Sequence, residues 1–283
     1  MKLFGLIGFP VKHSYSALMH NAAFAALGLD ARYELFEIEP AGLEEKFRQK
    51  IKQGVRGFNV TIPHKEKILT LLDEIDEEAE FIGAVNTIKV NEDATTKGFN
   101  TDGLGFIYHL KTIVGFNPAD KRVALLGAGG AARALVSQLA RQNASEIALF
   151  DIDQEKTDAL VNKIQGHFSQ CWIHSVKEPN DLLGNAPELL INATPLGLHR
   201  NDRMILNPDL FHSKMLVYDL IYNPAQTSLL LAAKAQGCHG VFNGLGMLLY
   251  QGVLAFKIWL EFEPPVEVME EALRDALVNN HNR

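Results

Sequence analysis

An apolar run that breaks into glycines and resumes as helix formers, Val123-Ala-Leu-Leu-Gly-Ala-Gly-Gly-Ala-Ala-Arg-Ala134, constrains this chain more than any other stretch. Gly127, Gly129 and Ala132 hold the spacing of a dinucleotide fingerprint, whose third position accepts glycine or alanine. Gly127 permits a tight turn out of a strand, Gly129 removes the Cβ that would hold a pyrophosphate off the backbone, and Ala132 lets the helix lie close on its sheet. The pyrophosphate then meets free N–H groups at the helix start. Spacing alone would also suit an ordinary strand-to-helix turn. Context adds the missing weight: a second β-like run, Glu146-Ile-Ala-Leu-Phe-Asp151, ends in a carboxylate about 20 residues past the glycines, where such folds hold the adenosine ribose.

A turn of this kind needs a parallel sheet, and the chain beyond Pro118 supplies one. Strand-like runs near 123–126, 147–151, 171–175, 189–193, 215–220 and 240–242 alternate with helical patterns, which predicts right-handed crossovers in an α/β sheet. Before it, residues 2–8 read as a strand and Ser14 opens a helical pattern ending near Gly28. Tyr33 to Ile38 alternates as a second strand, and a helix covers about 41–53. Gly57 to Ile62 reads as a strand, Pro63 as a helix start, and Asp73 to Phe81 as a long acidic helix. Val85 to Val90 and Lys97 to Thr101 form a strand pair turning at Asn91-Glu-Asp-Ala, and Asp102 caps a helix to about Val114. The apolar stretch from Gly244 follows the last strand and is expected to pack back on the first domain. The expected division is a substrate-binding and catalytic domain over 1–103, a Rossmann-type domain over 104–243, and C-terminal helices over 244–283.

With 283 residues, 47% of them hydrophobic and 22% charged, the chain is long enough for two such α/β domains. Its net charge of −7 carries no basic block, which argues against nucleic acid or an anionic membrane and for a small-molecule partner. Cys171 and Cys238 stand far apart in apolar surroundings, so neither zinc cluster nor disulfide is expected, and a reducing cytoplasm suits two free thiols. The apolar start, Met1 to Phe9, runs into Pro10, Lys12 and His13 where a signal peptide would carry a small-residue cleavage site.

Several polar residues fall at strand ends, where an α/β sheet presents its ligands: Asn59, Thr61, Lys65, Asn86 and Asp102. Each also has a local reading, as turn partner, β-former, solvated lysine or N-cap. Together they place five polar groups on one crevice. Ser14 and Ser16 flank Tyr15 before the first helix, and two hydroxyls with helix N-terminal amides suit a carboxylate, although Ser14 as a plain N-cap fits equally. His13 and His64 lack a second histidine at metal-ligand spacing, and no metal is expected.

These residues lie in a recognisable series. His13-Ser-Tyr-Ser16 with Met19-His-Asn21, Asn59-Val-Thr-Ile-Pro-His-Lys65, Gly83-Ala-Val-Asn-Thr87, Asn100-Thr-Asp-Gly103, Gly127-Ala-Gly-Gly-Ala-Ala132, Asn192-Ala-Thr-Pro-Leu-Gly197 and Asn243-Gly-Leu-Gly-Met247 together resemble the shikimate dehydrogenase family over almost the whole chain. The resemblance implies reversible, NAD- or NADP-dependent reduction of 3-dehydroshikimate to shikimate, a step of chorismate and aromatic amino-acid biosynthesis. It places the substrate carboxylate on Ser14 and Ser16, and the ring hydroxyls on Thr61, Lys65, Asn86, Asp102 and Gln251, with Tyr222 a further substrate position. On the cofactor side it names Gly127, Ala128, Gly129, Gly130 and Ala131 in the turn, to which the spacing of the second strand adds Asp151. Asn192, Ala193 and Thr194 lie beneath the cofactor, and Leu220 and Gly244 line the nicotinamide pocket. Lys65 and Asp102 are the implied catalytic pair: reducing a ketone needs a proton donor and a fixed orientation more than a metal.

The chain departs from the family at one place. The NADP-using branch follows its second dinucleotide strand with Asn-Arg-Ser/Thr, whereas this chain has Asp151-Ile-Asp153. A carboxylate accepts from a free 2′-hydroxyl but repels a 2′-phosphate, so NAD is favoured, while NADP stays open through Lys156 on the next helix or Arg133, either of which could serve the phosphate instead. Asp151 leans toward an NAD-linked quinate/shikimate dehydrogenase, and Ser16 leans back toward the shikimate branch. A non-catalytic sensor of dinucleotide or shikimate is the reading from another class, and retention of Lys65 with Asp102 argues against it.

Overall fold

Apolar periodicity dictates two sheets, and the computed structural model describes both across residues 1–199 and 201–281. The chain forms two compact units, one built from Met1–Gly105 together with the chain from Leu248 on, the other from Phe106–Met247.

The first unit opens with β1 (Lys2–Gly8), α1 (Ser16–Ala26), β2 (Ala31–Glu37), α2 (Leu43–Lys52) and β3 (Val55–Val60). It continues with β4 (Glu74–Ile75), α3 (Glu77–Ile82), β5 (Thr87–Val90), β6 (Thr96–Phe99) and α4 (Asp102–Tyr108). Its sheet runs β2-β1-β3-β5-β6-β4. β1 lies parallel to both β2 and β3, while β3, β5 and β6 run antiparallel in turn. A central strand covered on both faces must be apolar throughout, which is why Phe4, Leu6 and Ile7 are all buried. One face packs Phe36, Phe47, Phe58, Val60 and Ile88 into a core. The other carries Phe4 stacked on Trp259, with ring centroids 5.1 Å apart. Trp259 belongs to a helix that returns late in the chain and donates its indole N–H to the Ile88 carbonyl at 2.9 Å. Gly57 is the residue this ring requires, since a Cβ there would lie 2.5 Å from the indole nitrogen.

The second unit holds β7 (Arg122–Leu126), α5 (Gly130–Arg141), β8 (Glu146–Phe150), α6 (Gln154–Gln165) and β9 (Trp172–Ser175). Then come β10 (Leu189–Asn192), β11 (Leu216–Asp219), α7 (Ser228–Ala235) and β12 (Gly240–Phe242). The strands are parallel in the order β12-β11-β10-β7-β8-β9. The chain runs outward through β8 and β9, then returns to place β10 on the other side of β7. That reversal makes a switch point above the ends of β7 and β10. α8 (Leu245–Leu260) starts in this unit and passes into the first, where α9 (Val266–His281) packs on α1.

Four local expectations change. Pro63 opens no α-helix: turns follow it, and Lys67–Leu71 forms a short 3-10 segment. The acidic run from Asp73 is split by β4, so the helix waits for Asp76, whose side chain accepts from the Glu78 N–H. Glu74 and Ile75 pair with Lys97 and Gly98 of β6 instead, and the helix starts at the first residue after them that can cap it. The helix from Asp102 stays α-helical to Tyr108 and then widens into a π-turn over His109–Ile113. The strict strand–helix alternation lapses twice, since 3-10 turns at Pro179–Leu183 and Pro208–Leu210 replace helices, each with proline at its start.

Candidate active site

In the first unit the chemistry gathers around one ion pair. Lys65 follows β3, and its Nζ lies 2.5 Å from Asp102 Oδ2, with the two side chains 16% and 6% exposed. Asp102 begins α4, but its carboxylate does not cap the helix. Asn100 Oδ1 takes the Asp102 N–H at 3.1 Å, which leaves both carboxylate oxygens for Lys65 and for Asn86, whose Nδ2 donates to Oδ1 at 2.8 Å. The Thr101 N–H donates to Asn86 Oδ1 at 2.7 Å, so the amide can only turn its NH2 toward Asp102. Gln251, on α8, meets the same NH2 at 3.4 Å through Oε1 and donates from Nε2 to the Leu248 carbonyl at 2.8 Å. Lys65, Asn86, Asp102 and Gln251 therefore form one connected group. Thr61 stands one turn before Lys65, half-buried, its N–H donating to the Ile7 carbonyl.

Ser14 and Ser16 sit together at the start of α1. Ser14 Oγ donates to Ser16 Oγ at 3.1 Å, and the Ser16 N–H donates to Ser14 Oγ at 3.3 Å. Ser14 is not the N-cap: Tyr15 holds that position without a side-chain cap, so both hydroxyls stay at the helix mouth. Behind them lies a buried polar run that sequence reading missed in part. The Tyr33 hydroxyl donates to Asn59 Oδ1 at 2.8 Å, and Asn59 Nδ2 donates to Thr87 Oγ1 at 3.1 Å and to the Asn86 carbonyl at 3.2 Å. Burial holds the Tyr33 phenol well above its ordinary pKa, against a smaller opposing effect of a hydrogen bond with Ser16. Tyr33 passed for a strand aromatic, although a buried tyrosine must find a partner for its hydroxyl. His64 is placed by structure alone, its Nε2 2.6 Å from the Ile38 carbonyl.

In the second unit the glycine turn has the geometry its residues demand. Gly127 takes φ +104°, where a side chain would be strained, and a Cβ would press 3.0 Å from the Ala193 carbonyl oxygen. Beside Gly129 a Cβ would meet nothing within 4 Å, so the glycine opens space directly above the start of α5, which has no side-chain cap. Open space over uncapped N–H groups at Gly130 and Ala131 fits a pyrophosphate. Asp151 follows β8 and turns back to this loop: Oδ2 accepts the Ala128 N–H at 2.8 Å and Oδ1 the Asp153 N–H at 2.9 Å. Ile152 stands 93% exposed, and Lys156 is held 3.0 Å from Asp153 Oδ2.

At the ends of β10 and β11, Asn192 is a strut. Its Oδ1 accepts from the Thr194 N–H and hydroxyl at 3.0 and 2.6 Å, and its Nδ2 donates to Asp219 Oδ1 at 2.9 Å. Ala193 and Thr194 line the turn beyond it, half-buried like Leu220 and Tyr222 past β11. Gly244 lets the chain cross Leu220, since a Cβ would fall 1.9 Å from the Leu220 carbonyl oxygen. Tyr222 lies in this unit, apart in the chain from the substrate positions of the first. Among the described residues no group of three histidine, cysteine or acidic side chains could hold a metal, and no helix is long and apolar enough to cross a membrane.

Fold and side chains together define an α/β oxidoreductase, with a nucleotide-type parallel sheet in one unit and an ion-paired lysine in the other. Residues 6–88 match the family model of the shikimate dehydrogenase substrate binding domain, and residues 244–274 that of the shikimate 5'-dehydrogenase C-terminal domain. A shikimate dehydrogenase (NADP(+)) of Methanocaldococcus jannaschii is 43% identical over 98% of this chain and 97% of its own. A crystal structure of a shikimate dehydrogenase in complex with NADP+ superposes with a TM-score of 0.89 at 42% identity, covering 98% of this chain and 96% of the other. Shikimate 5-dehydrogenase from Listeria monocytogenes, solved with shikimate and NAD, gives 0.87 at 36% identity over 96% of each chain. The chain belongs to the shikimate dehydrogenase family.

Proposed function

We propose that this chain interconverts 3-dehydroshikimate and shikimate, with Met1–Gly105 and the chain from Leu248 on holding the substrate and Phe106–Met247 the dinucleotide. The observation that carries the reading is the ion pair of half-buried Lys65 and buried Asp102 at 2.5 Å. The bound nicotinamide supplies or accepts the hydride. As the ketone is reduced, negative charge builds on its oxygen, and Lys65 donates the proton that neutralises it. Asp102 holds the ammonium in place, and Asn86 holds Asp102, so neither charge must reorganise as the bond forms. Ser14, Ser16 and the first amides of α1 take the substrate carboxylate, which fixes the ring. Thr61 and Gln251 complete the hydroxyl partners within the first unit. Lys65→Ala should lower kcat about a hundredfold or more, the scale of a lost general acid, with a smaller change in the KM for shikimate. Turnover surviving within a few-fold would remove Lys65 as the proton donor.

The finer proposal concerns the dinucleotide. Asp151 is anchored by two backbone N–H groups and cannot swing away from the turn, and the exposed Ile152 puts no cation beside it. Each carboxylate oxygen keeps a lone pair for a ribose hydroxyl, whereas a 2′-phosphate meets a fixed negative charge. NAD is favoured over NADP for this chain, in contrast to the NADP(+) named for the archaeal relative. Catalytic efficiencies with shikimate and quinate, each against NAD+ and NADP+, test both the substrate and the cofactor.

A further inference from the structure

The ends of β10 and β11 hold a second buried carboxylate that the hydride chemistry above does not use. Asp219, the last residue of β11, is 0% exposed. Its Oδ1 accepts from Asn192 Nδ2 at 2.9 Å and from the Ile221 N–H at 3.1 Å, and its Oδ2 from Thr227 Oγ1 at 2.6 Å. Thr227 caps α7 by accepting the Leu230 N–H, so its own hydrogen is the one that points to Asp219. Every partner is thus a donor, an arrangement that matches a carboxylate and not a carboxylic acid. Every partner is also neutral. Burial pushes this carboxyl up from its ordinary value, and the same three hydrogen bonds oppose that shift.

The topology places this charge relative to a dinucleotide. The switch point lies between β7 and β10, and a dinucleotide crosses it with one half on each side. Asp151 marks the β8 side for the adenosine ribose. The nicotinamide then falls over the ends of β10 and β11, where Leu220 follows Asp219 directly. We propose that Asp219 is a fixed anion that biases the nicotinamide site toward the oxidised, cationic ring, an inference that rests on the dinucleotide placement proposed above. During ketone reduction the ring becomes cationic as hydride leaves, and an uncompensated carboxylate held by rigid dipoles stabilises that developing charge without rearranging.

Binding separates charge from shape. The probes are NAD+, NADH and benzamide adenine dinucleotide, a neutral isostere of NAD+, each titrated into the full chain by calorimetry. Wild-type protein should bind NAD+ about tenfold more tightly than the isostere, the scale of one charge acting through an interior of effective dielectric about 20. Asp219→Asn should erase that gap and move the NAD+ to NADH ratio of dissociation constants about tenfold toward NADH. Thr227→Val, which keeps the charge and removes one hydrogen bond, should weaken all three together and leave the ratios within about twofold, marking the purely structural contribution. Equal binding of NAD+ and isostere by the wild-type protein overturns the proposal even where Asp219→Asn does not fold, and so does an Asp219→Asn protein that keeps the gap. Wild-type protein that binds no dinucleotide overturns the cofactor placement as well.

Discussion

Acid should loosen the first unit through one histidine. His20 on α1 is 0% exposed, stacked on Tyr33 at 4.6 Å and tilted against Trp259 at 5.3 Å, and neither ring nitrogen has a hydrogen-bond partner. Burial drives its imidazole down to about 3, with Asn59 a weaker influence upward. The native state therefore holds His20 neutral through a range in which the unfolded chain protonates it. Its contribution to stability is complete above the unfolded pKa of about 6.5, falls by about 1.4 kcal/mol per pH unit below that, and levels off near the folded value. Between pH 7.5 and 5.0 the loss is about 2 kcal/mol. His20→Phe keeps the aromatic stack, sacrifices no hydrogen bond and removes the titration. Urea unfolding followed by Trp259 fluorescence, in a Trp172→Phe background, reads the first unit at both pH values. Groups common to both proteins cancel in the difference. His20→Phe should gain about 2 kcal/mol on the wild type as the pH is lowered from 7.5 to 5.0. A His-to-Phe gap that stays within about 0.5 kcal/mol across that range would refute the argument, because the imidazole would then be protonated alike in both states.

Asp102→Asn should lower kcat on the same scale as Lys65→Ala, and the double variant should cost at most a few-fold more, since the two residues act as one unit. Fully multiplicative losses in steady-state kinetics would count against the pair. Replacing Asp151-Ile152 by Asn-Arg removes a repulsion and adds a phosphate fork, and should move catalytic efficiency toward NADP+ by one to two decades, at roughly 1.5–3 kcal/mol per charged hydrogen bond. A wild-type enzyme already preferring NADP+ would overturn the cofactor reading and leave the reduction chemistry intact. Gly57→Ala drives a methyl into Trp259, whose ring is pinned by Phe4 and by its bond to Ile88, and should destabilise the first unit by about 1–3 kcal/mol. An unchanged urea midpoint would show that the indole can retreat.

The parallel sheet of the second unit was legible because its determinants are local. β7, the Gly127 turn, α5 and β8 follow one another between Arg122 and Phe150, and each is specified by apolar run or glycine at its own position. The stretch from Pro63 to Phe81 was misread for the opposite reason. Its helical periodicity is real, but Glu74 and Ile75 pair with Lys97 and Gly98 of β6, a partner more than twenty residues away that no local window contains. The candidate site divides the same way. Lys65, Asn86 and Asp102 stood at strand ends and were open to inspection one by one. Tyr33 and Thr87 were hidden because each satisfies ordinary β propensity, and their hydrogen bonds to Asn59 join strands through the sheet. Gln251 was singled out only by the family resemblance: the return of α8 to the first unit follows from an apolar helix with no further strand to serve, but nothing local marks one glutamine on it.

Asp102 and Asp219 show why residue type alone does not decide what a buried carboxylate does. Each takes a hydrogen bond from an asparagine NH2, Asn86 in the first unit and Asn192 in the second, and in each case a backbone N–H fixes that amide's orientation. The difference is the other side-chain partner. Lys65 beside Asp102 turns the pair into a local dipole whose field falls off quickly, so Asp102 acts on what it touches, the ammonium first of all. Thr227 beside Asp219 leaves the full charge in place, and a full charge in an interior acts on groups it never contacts. Moving a proton needs the first arrangement, because donor and acceptor must meet within a hydrogen bond. Stabilising a ring that turns cationic needs the second, because the ring must be free to bind and leave while the charge that favours it stays fixed.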